Sequence, residues 1–393
     1  MCGILFCLNK KKKFRKAEIN NLKKSSKKII HRGPDFQKTI IKDRLFMFHS
    51  RLKIQDINAR SNQPMHFINK NEKFTLLYNG EIYNFKKLRK KINVGVEFKT
   101  LSDTEVFLKN YFHKKKKFDF VLDFEGMFSF VLIQKKNEII FGRDFFGQKP
   151  LYFYDDKEKI IISSEIKPIS YLIRKNQLNY NKEIIDDYFF KNDYFSGRDT
   201  FYKDIKQVLP GEIGLINNNN ISFNRFYSFI NYKKNKRIPK LKYLKFFEKN
   251  IINHTISDKK IALSLSSGLD SSAIAHVIYT FHKKKYNLMA YTFDFEGKEY
   301  EYEEAKNFVK SYKKEIKKSV ITKNYLINNF EKLFVKNEGP IGGIGQFGLF
   351  KICEEAKKDG YDVMLSGYGL DESFGSYNSI RLQYQKENSF RLI

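Results

Sequence analysis

Short apolar runs mark the first half of the chain. They fall at Arg44–His49, Phe74–Tyr78, Met127–Ile133, Glu138–Gly142 and Ile160–Ser164. Turn-forming residues stand between them at Asn79-Gly80, Lys136-Asn137 and Asp155-Asp156, a rhythm that predicts strands. Two helices interrupt it. Lys16–Ile30 carries apolar residues at helical spacing, and Asp103–Phe112 is entered through the capping sequence Ser102-Asp103-Thr104-Glu105. The strand-rich part ends at Leu209-Pro210-Gly211 and the polar stretch Asn217–Asn220, followed by a basic linker through Tyr232–Lys242. From Ile261 the period changes. Ile261–Leu265, Leu288–Phe293 and Asp362–Leu365 read as strands; Ser271–Phe281, Glu301–Tyr312 and Gly348–Lys358 read as helices. Strand–helix alternation predicts a parallel sheet covered by helices. The expected domains are 2–212 and 243–393, with a linker over 213–242.

A chain of 393 residues exceeds one ordinary core, which agrees with two domains. Three cysteines, Cys2, Cys7 and Cys353, are too few and too scattered for a disulfide framework or a zinc site. The apolar start is short and runs into Lys10–Lys13, so it does not read as a secretory signal, and no apolar run is long enough to span a bilayer. A cytoplasmic, reduced protein with no membrane partner is expected. The net charge of +30 would ordinarily suggest nucleic acid. Here lysine is spread over the whole length alongside abundant Ile, Asn, Phe and Tyr, and no nucleic-acid reading motif accompanies it. The bias is compositional, and no nucleic-acid partner is expected.

Candidate chemistry begins at Cys2. Removal of Met1, which a small second residue permits, places a thiol and an α-amine on one residue. The amine, with an ordinary pKa of about 7.7–8.0, is a base near neutral pH, and the thiol is a nucleophile. In isolation Met-Cys-Gly would be an incidental start before an apolar strand.

A second centre lies at Ser266-Ser267-Gly268-Leu269-Asp270-Ser271-Ser272, between a strand and a helix. Backbone N–H groups at a helix N-terminus favour an anion, and the serine hydroxyls add donors. The loop is neither a Walker loop nor a dinucleotide fingerprint; alone it is equally a serine-built helix cap. Ser366-Gly367-Tyr368-Gly369-Leu370-Asp371-Glu372 follows another strand, at the end where open α/β sheets bind ligands. Asp270 and Asp371 are candidate ligands for magnesium bridging phosphates.

Read in order, Met1-Cys2-Gly3-Ile4, His31-Arg32-Gly33-Pro34-Asp35, Arg51-Leu52, Asn79-Gly80-Glu81-Ile82-Tyr83-Asn84, Ser102-Asp103-Thr104-Glu105, Glu125-Gly126-Met127-Phe128, Arg143–Tyr152, Ser164-Glu165-Ile166-Lys167, the serine loop and Leu365-Ser366-Gly367 resemble the glutamine-dependent asparagine synthetase family over nearly the whole chain. The resemblance implies an α+β N-terminal-nucleophile hydrolase sandwich (αββα) with class II glutaminase chemistry. An α/β parallel-sheet domain of ATP-pyrophosphatase type would follow it. It implies Cys2 as nucleophile and Asn79 and Gly80 as oxyanion donors. Arg51 would clamp the glutamine α-carboxylate and Asp103 would accept the α-amine, with Leu52, Lys53, Ile54, Gln55 and Glu81 lining the pocket. Alone, Arg51 could be a surface cation, Asn79-Gly80 a hairpin turn and Asp103 a helix cap. His31, His49 and His66 read as structural.

For the second domain the resemblance implies ATP, with Mg2+, contacted by Leu265, Ser266, Ser267, Gly268, Asp270, Ser271, Ser272, Phe295, Ser366 and Gly367. It implies glutamine, ATP and an acceptor carboxylate, first of all aspartate, as small-molecule substrates, and leaves a homodimer or partner subunit open. The chain departs from the family in three places. Ser267 replaces a second glycine. Tyr368 replaces a glutamate tied to acid activation, which opens a non-aspartate acceptor, as in the β-lactam synthetase branch. The chain stops at Ile393, where relatives continue into a helical region. The expectations from that ending are a fragment, a partner-completed enzyme, or a chain confined to glutaminase work.

Overall fold

The computed structural model describes residues 1–69, 72–92, 97–114, 118–134, 138–173, 178–191, 197–228, 239–281, 288–298 and 301–374. Two units emerge, Met1–Arg237 and Ile238–Ile393. The first contains Gly3–Asn9 (β1), Phe36–Lys42 (β2), Leu45–Arg51 (β3), Met65–Asn69 (β4), Glu72–Ile82 (β5), Gly126–Ile133 (β6), Glu138–Arg143 (β7), Tyr152–Asp155 (β8), Lys159–Ser163 (β9), Ile205–Gln207 (β10), Glu212–Asn217 (β11) and Asn220–Arg225 (β12). These make two antiparallel six-stranded sheets, in the orders β10-β8-β9-β1-β3-β2 and β12-β11-β7-β6-β5-β4.

The side-chain alternation of a strand explains the layering. Ile4, Phe6 and Leu8 of β1 join Met47, Val131, Phe141 and Ile160 in the core shared by both sheets, while Leu5 and Cys7 turn the other way. That outer face meets Leu22 and Ile29 and the helix Ile166–Leu172. Being covered on both faces, β1 is apolar from Gly3 to Leu8 and does not alternate. On the second sheet the helix Asp103–His113 buries Phe107 among Phe130, Phe120, Phe124 and Tyr78, at ring-centroid distances of 4.8, 5.2, 5.2 and 5.4 Å. This aromatic cluster anchors the helix whose first residue is Asp103.

Local expectations change in several places. Asn79-Gly80 is not a turn. Both residues lie inside β5, opposite Ser129 and Phe128 of β6. Glycine is needed there for close strand approach, because a Cβ would come within 2.3 Å of the Met127 carbonyl oxygen. Ser102 does cap its helix, accepting from Thr104 N at 3.1 Å, but Glu105 reaches past the cap to Lys99 N (3.0 Å) and Thr100 N (2.6 Å). The helix expected over Lys16–Ile30 is α-helical to Ser26 and tightens to a 3-10 helix over Lys27–Arg32. Residues 213–225, read as the start of a linker, lie in β11, which pairs with β7, and in β12, which pairs with β11. The Lys136-Asn137 turn lies outside the described residues, as does most of the basic stretch before Lys240.

In the second unit, Lys240–His254 is helical and packs Ile251 into a core with Ile261, Leu263 and Ala275. The parallel strands are Ile261–Ser264 (β13), Met289–Phe295 (β14), Ile316–Ile321 (β15) and Val363–Leu365 (β16), in the order β15-β14-β13-β16. Leu263 and Ala290 face one helical layer, whereas Ala262 and Tyr291 face Ile352 and Ala356 on the other. The sheet is thus wound on both faces. The chain leaves β13 towards β14 and β15, then returns to pair β16 on β13's free side, which creates a switch point between β13 and β16. Among the described residues no helix is long and apolar enough to cross a membrane.

Candidate active site

Cys2 sits directly before β1, whose first residue Gly3 pairs with Ser50 of β3. Its thiol donates to the Leu52 carbonyl at 3.8 Å, just beyond the end of β3. Burial pushes the thiol pKa up, so the sulfur is protonated at rest. The Met1 amine beside it is pushed down to about 5, by burial first and then by the charges of Lys149 and Arg32, with Cys2 and Glu81 opposing. A protonated thiol and an unprotonated amine therefore lie at one place at neutral pH.

Arg32 holds this end of the chain. Its Nε donates to the Cys2 carbonyl at 2.9 Å, and one Nη donates to Glu165 Oε1 at 3.0 Å. His31 Nε2 lies 2.8 Å from the same oxygen and Lys167 Nζ 3.0 Å from Oε2. Burial alone would raise the Glu165 pKa. The His31 hydrogen bond, Arg32 and Lys167 outweigh it and hold the carboxyl at about 2.

Arg51 is buried, so it is not a surface cation. One Nη donates to Asn58 O (3.0 Å) and Asn62 Oδ1 (2.8 Å); the other donates to Gln55 O (3.2 Å) and Asp56 O (2.5 Å). A two-pronged grip on a substrate carboxylate therefore requires part of this loop to yield. Of the other residues named for this pocket, Gln55 Nε2 donates to Glu81 Oε2, Lys53 N donates to Asp35 Oδ2 at 2.8 Å, and Leu52 and Ile54 stay partly exposed.

Asn79 is buried, and its Nδ2 donates to Ser129 Oγ only at 3.5 Å, a weak hold on a strong donor. Asp103 does more than begin a helix. Its Oδ2 accepts from Ile82 N (2.9 Å) and Tyr78 OH (3.2 Å), which fixes the carboxyl against β5. Burial raises it to about 6 against those hydrogen bonds, and burial together with Asp103 raises Glu81 well above the carboxylate range. Arg51 feels both Cys2 and Asp103, and Cys2 feels Glu81, so these groups share one electrostatic neighbourhood.

In the second unit the two predicted loops meet at the switch point. Asp371 N donates to Asp270 Oδ2 at 3.1 Å, and a Cβ on Gly367 would lie 3.1 Å from Asp270 Cβ. Burial and the neighbouring Asp371 and Glu372 raise the Asp270 pKa, a strain that a cation would relieve. Within the serine loop, Ser266 N donates to Ser271 Oγ (3.1 Å), Gly268 N to Ser266 Oγ (3.2 Å), and Ser272 N to Gly268 O (3.2 Å). Leu265 is buried, bonded to Tyr291 O at 2.9 Å; Phe295 ends β14 on the same edge of the sheet. Ser366 is partly exposed, and Tyr368 projects into solvent. No cluster of three or more His, Cys, Asp or Glu suited to a metal occurs among the described residues, so Asp270 and Asp371 form a carboxylate pair and not a closed cage.

Residues 1–227 match the family pattern of the glutamine amidotransferase domain, and residues 242–393 match that of asparagine synthase. The chain belongs to the asparagine synthase family. Asparagine synthetase [glutamine-hydrolyzing] 1 of Bacillus subtilis is 30% identical over 97% of this chain and 60% of its own length. Putative asparagine synthetase [glutamine-hydrolyzing] 2 of Methanocaldococcus jannaschii is 33% identical over 96% of this chain and 76% of its own. Amidase chyE of Penicillium rubens is 24% identical over 94% and 56%. The chain thus spans about three fifths of the length of the Bacillus relative.

Two features of this family member escape motif reading. Lys149 is buried, its pKa lowered chiefly by burial, and it feels Glu81, Arg32 and Cys2. Its loop is fixed by Asp144, which accepts from Phe146 N (3.1 Å), Gln148 N (2.9 Å) and Lys149 N (3.0 Å). The signal available was a lysine inside an already conspicuous run, Arg143–Tyr152. The Arg32–Glu165 pair joins two of the recognised segments, but nothing local announces that they touch.

Proposed function

We propose that this chain releases ammonia from glutamine at Cys2 and directs it to a carboxylate activated by ATP. Aspartate is the first candidate acid, giving asparagine, glutamate, AMP and pyrophosphate. The observation that carries the reading is the Cys2 thiol at the head of β1, donating to the Leu52 carbonyl at 3.8 Å, its backbone held by Arg32 at 2.9 Å, within the electrostatic reach of Arg51 and Glu81.

With Met1 removed, the α-amine of Cys2 takes the Sγ proton. Sulfur bonds to the glutamine side-chain carbon, and the carbonyl oxygen becomes an oxyanion. Asn79 Nδ2 and Gly80 N–H donate to that oxygen. The carbon–nitrogen bond then breaks, ammonia leaves with the proton, and water cleaves the thioester to glutamate. Asp103, ionised above about pH 6, takes the substrate ammonium, and Arg51 takes its carboxylate.

At the switch point the serine loop and Gly367 receive the phosphates of ATP. The acceptor carboxylate bonds to the α-phosphorus and pyrophosphate departs; ammonia bonds to the acyl carbon and AMP departs. Asp270 and Asp371 would hold Mg2+, which would neutralise phosphate charge. These substrates are small molecules, and the working compartment is the reducing cytoplasm.

Tyr368, standing where the family pattern has glutamate, and the amidase-named relative favour a second reading in which the acid is not aspartate. One experiment separates the readings. The protein is given glutamine and ATP with aspartate or with a panel of other carboxylates, and AMP, pyrophosphate and glutamate are measured. AMP formed only with aspartate supports the first reading, and AMP formed only with another acid supports the second. Glutamate without AMP leaves the glutaminase half alone standing, and no glutamate at all overturns the proposal.

A further inference from the structure

Ser267 replaces the glycine of the family pattern, and the structure gives its hydroxyl a partner. Ser267 N donates to Glu301 Oε2 at 2.8 Å and Ser267 Oγ donates to the same oxygen at 2.7 Å. Glu301 is the first residue of the helix Glu301–Ser311. Buried Asp294 fixes that helix end, accepting from Glu301 N at 3.1 Å and Tyr302 N at 3.4 Å, while Lys318 approaches Asp294 at 3.7 Å. An amide N–H and a hydroxyl at the head of a helix are the donors a phosphate oxygen takes from such a loop. Here a carboxylate already has them. The other donors turn inward, Ser266 N onto Ser271 Oγ and Gly268 N onto Ser266 Oγ.

We propose that Glu301 is the resident anion of the serine loop, holding the two donors of Ser267 and yielding them to the polyphosphate of the nucleotide. The Ser267–Glu301 pair then sets how tightly this loop takes pyrophosphate. A carboxylate and a phosphate cannot share the same two protons, and their like charges repel at that distance. Binding must therefore break two charge-assisted hydrogen bonds before it makes its own. A glycine at 267 would leave Glu301 one bond. This inference rests on the loop being the phosphate site of the proposed ligase.

The test is titration calorimetry of the full chain with inorganic pyrophosphate, and separately with ATP, each with and without Mg2+. Glu301→Gln keeps an acceptor and removes the charge. Ser267→Ala keeps the Cβ and removes the hydroxyl, and Ser267→Gly removes both. Circular dichroism establishes that each variant is folded. Glu301→Gln should tighten pyrophosphate binding about tenfold, equivalent to about 1.4 kcal/mol, whereas Ser267→Ala, which takes one donor from the carboxylate and from the phosphate alike, should change it less. If only Ser267→Gly binds more tightly, the Cβ crowds the loop and the inference is overturned. Unchanged or weaker binding by Glu301→Gln, with the unaltered chain binding normally, also overturns it and leaves the phosphate reading intact. If neither the unaltered chain nor any variant binds pyrophosphate or ATP, the phosphate reading itself falls and takes the inference with it.

Discussion

Arg32 Nε donates to the carbonyl oxygen of Cys2 at 2.9 Å. The bond fixes the backbone of the candidate nucleophile from a different segment, and Glu165 supports Arg32 from behind. Position of the sulfur is therefore tied to a buried ion pair that never touches it.

Removing that support should weaken both folding and catalysis. The Glu165 pKa lies near 2, below its ordinary 4.5, so its contribution is fully present above about pH 4.5 and is lost as pH falls through about 2. The shift corresponds to about 3 kcal/mol. Glu165→Gln leaves Arg32 buried without its counter-charge and should cost about 3–5 kcal/mol by denaturant unfolding at pH 7. Glutaminase kcat should fall about tenfold or more as Cys2 loosens. Unchanged stability in Glu165→Gln would show the pair to be inert.

Asp103 carries the opposite sign. Its folded pKa, about 6, lies above the ordinary 3.8, so the cost of ionising Asp103 in the fold grows from about pH 3.8 to about 6 and is constant above that. Asp103→Asn should raise stability at pH 7 by about 2–3 kcal/mol while raising the KM for glutamine at least a hundredfold. In the unaltered chain, kcat/KM for glutamine should decline as pH falls through about 6. A KM independent of Asp103 would remove this residue from substrate recognition.

The division between what local sequence reveals and what it hides follows from these contacts. Cys2, Asn79-Gly80 and the serine loop are legible because each is a short run of special chemistry beside a strand. The same locality misleads at Asn79-Gly80, where the dipeptide favoured in hairpin turns lies mid-strand. There Gly80 serves the approach of Met127, a residue distant in sequence. Helix Lys240–His254 is hidden by its lysines, and strand Ile316–Ile321 by its two charged residues, Lys317 and Lys318. Bonds such as Gln55 to Glu81 and Ser267 to Glu301 join segments that periodicity cannot connect.

Asn79 offers a test of transition-state chemistry separate from binding. Its amide is held by Ser129 only at 3.5 Å, so the donor is available to an oxyanion at little cost. Asn79→Ala should lower glutaminase kcat by about 10²–10³ with little change in KM, the pattern of a bond made only in the transition state. A pure rise in KM would assign Asn79 to ground-state binding instead.

Lys149 tests how the amine is kept ready. The Met1 amine, depressed to about 5, is lowered first by burial and then by Lys149 and Arg32. When Met1 leaves, the base is the amine of Cys2, a residue that already interacts with Lys149. Lys149→Met removes one of these charges, and the amine then holds its proton to higher pH. Glu81, which Lys149 opposes electrostatically, also becomes harder to ionise. Both effects move the acid limb of the glutaminase pH profile upward, by roughly half a unit to one unit for a single buried charge. Lys149→Arg should restore the original limb because it restores the charge. Packing alone would lower the rate equally at every pH. An unmoved limb in Lys149→Met, or one that Arg fails to restore, would mean that Lys149 fills space and does not tune the base.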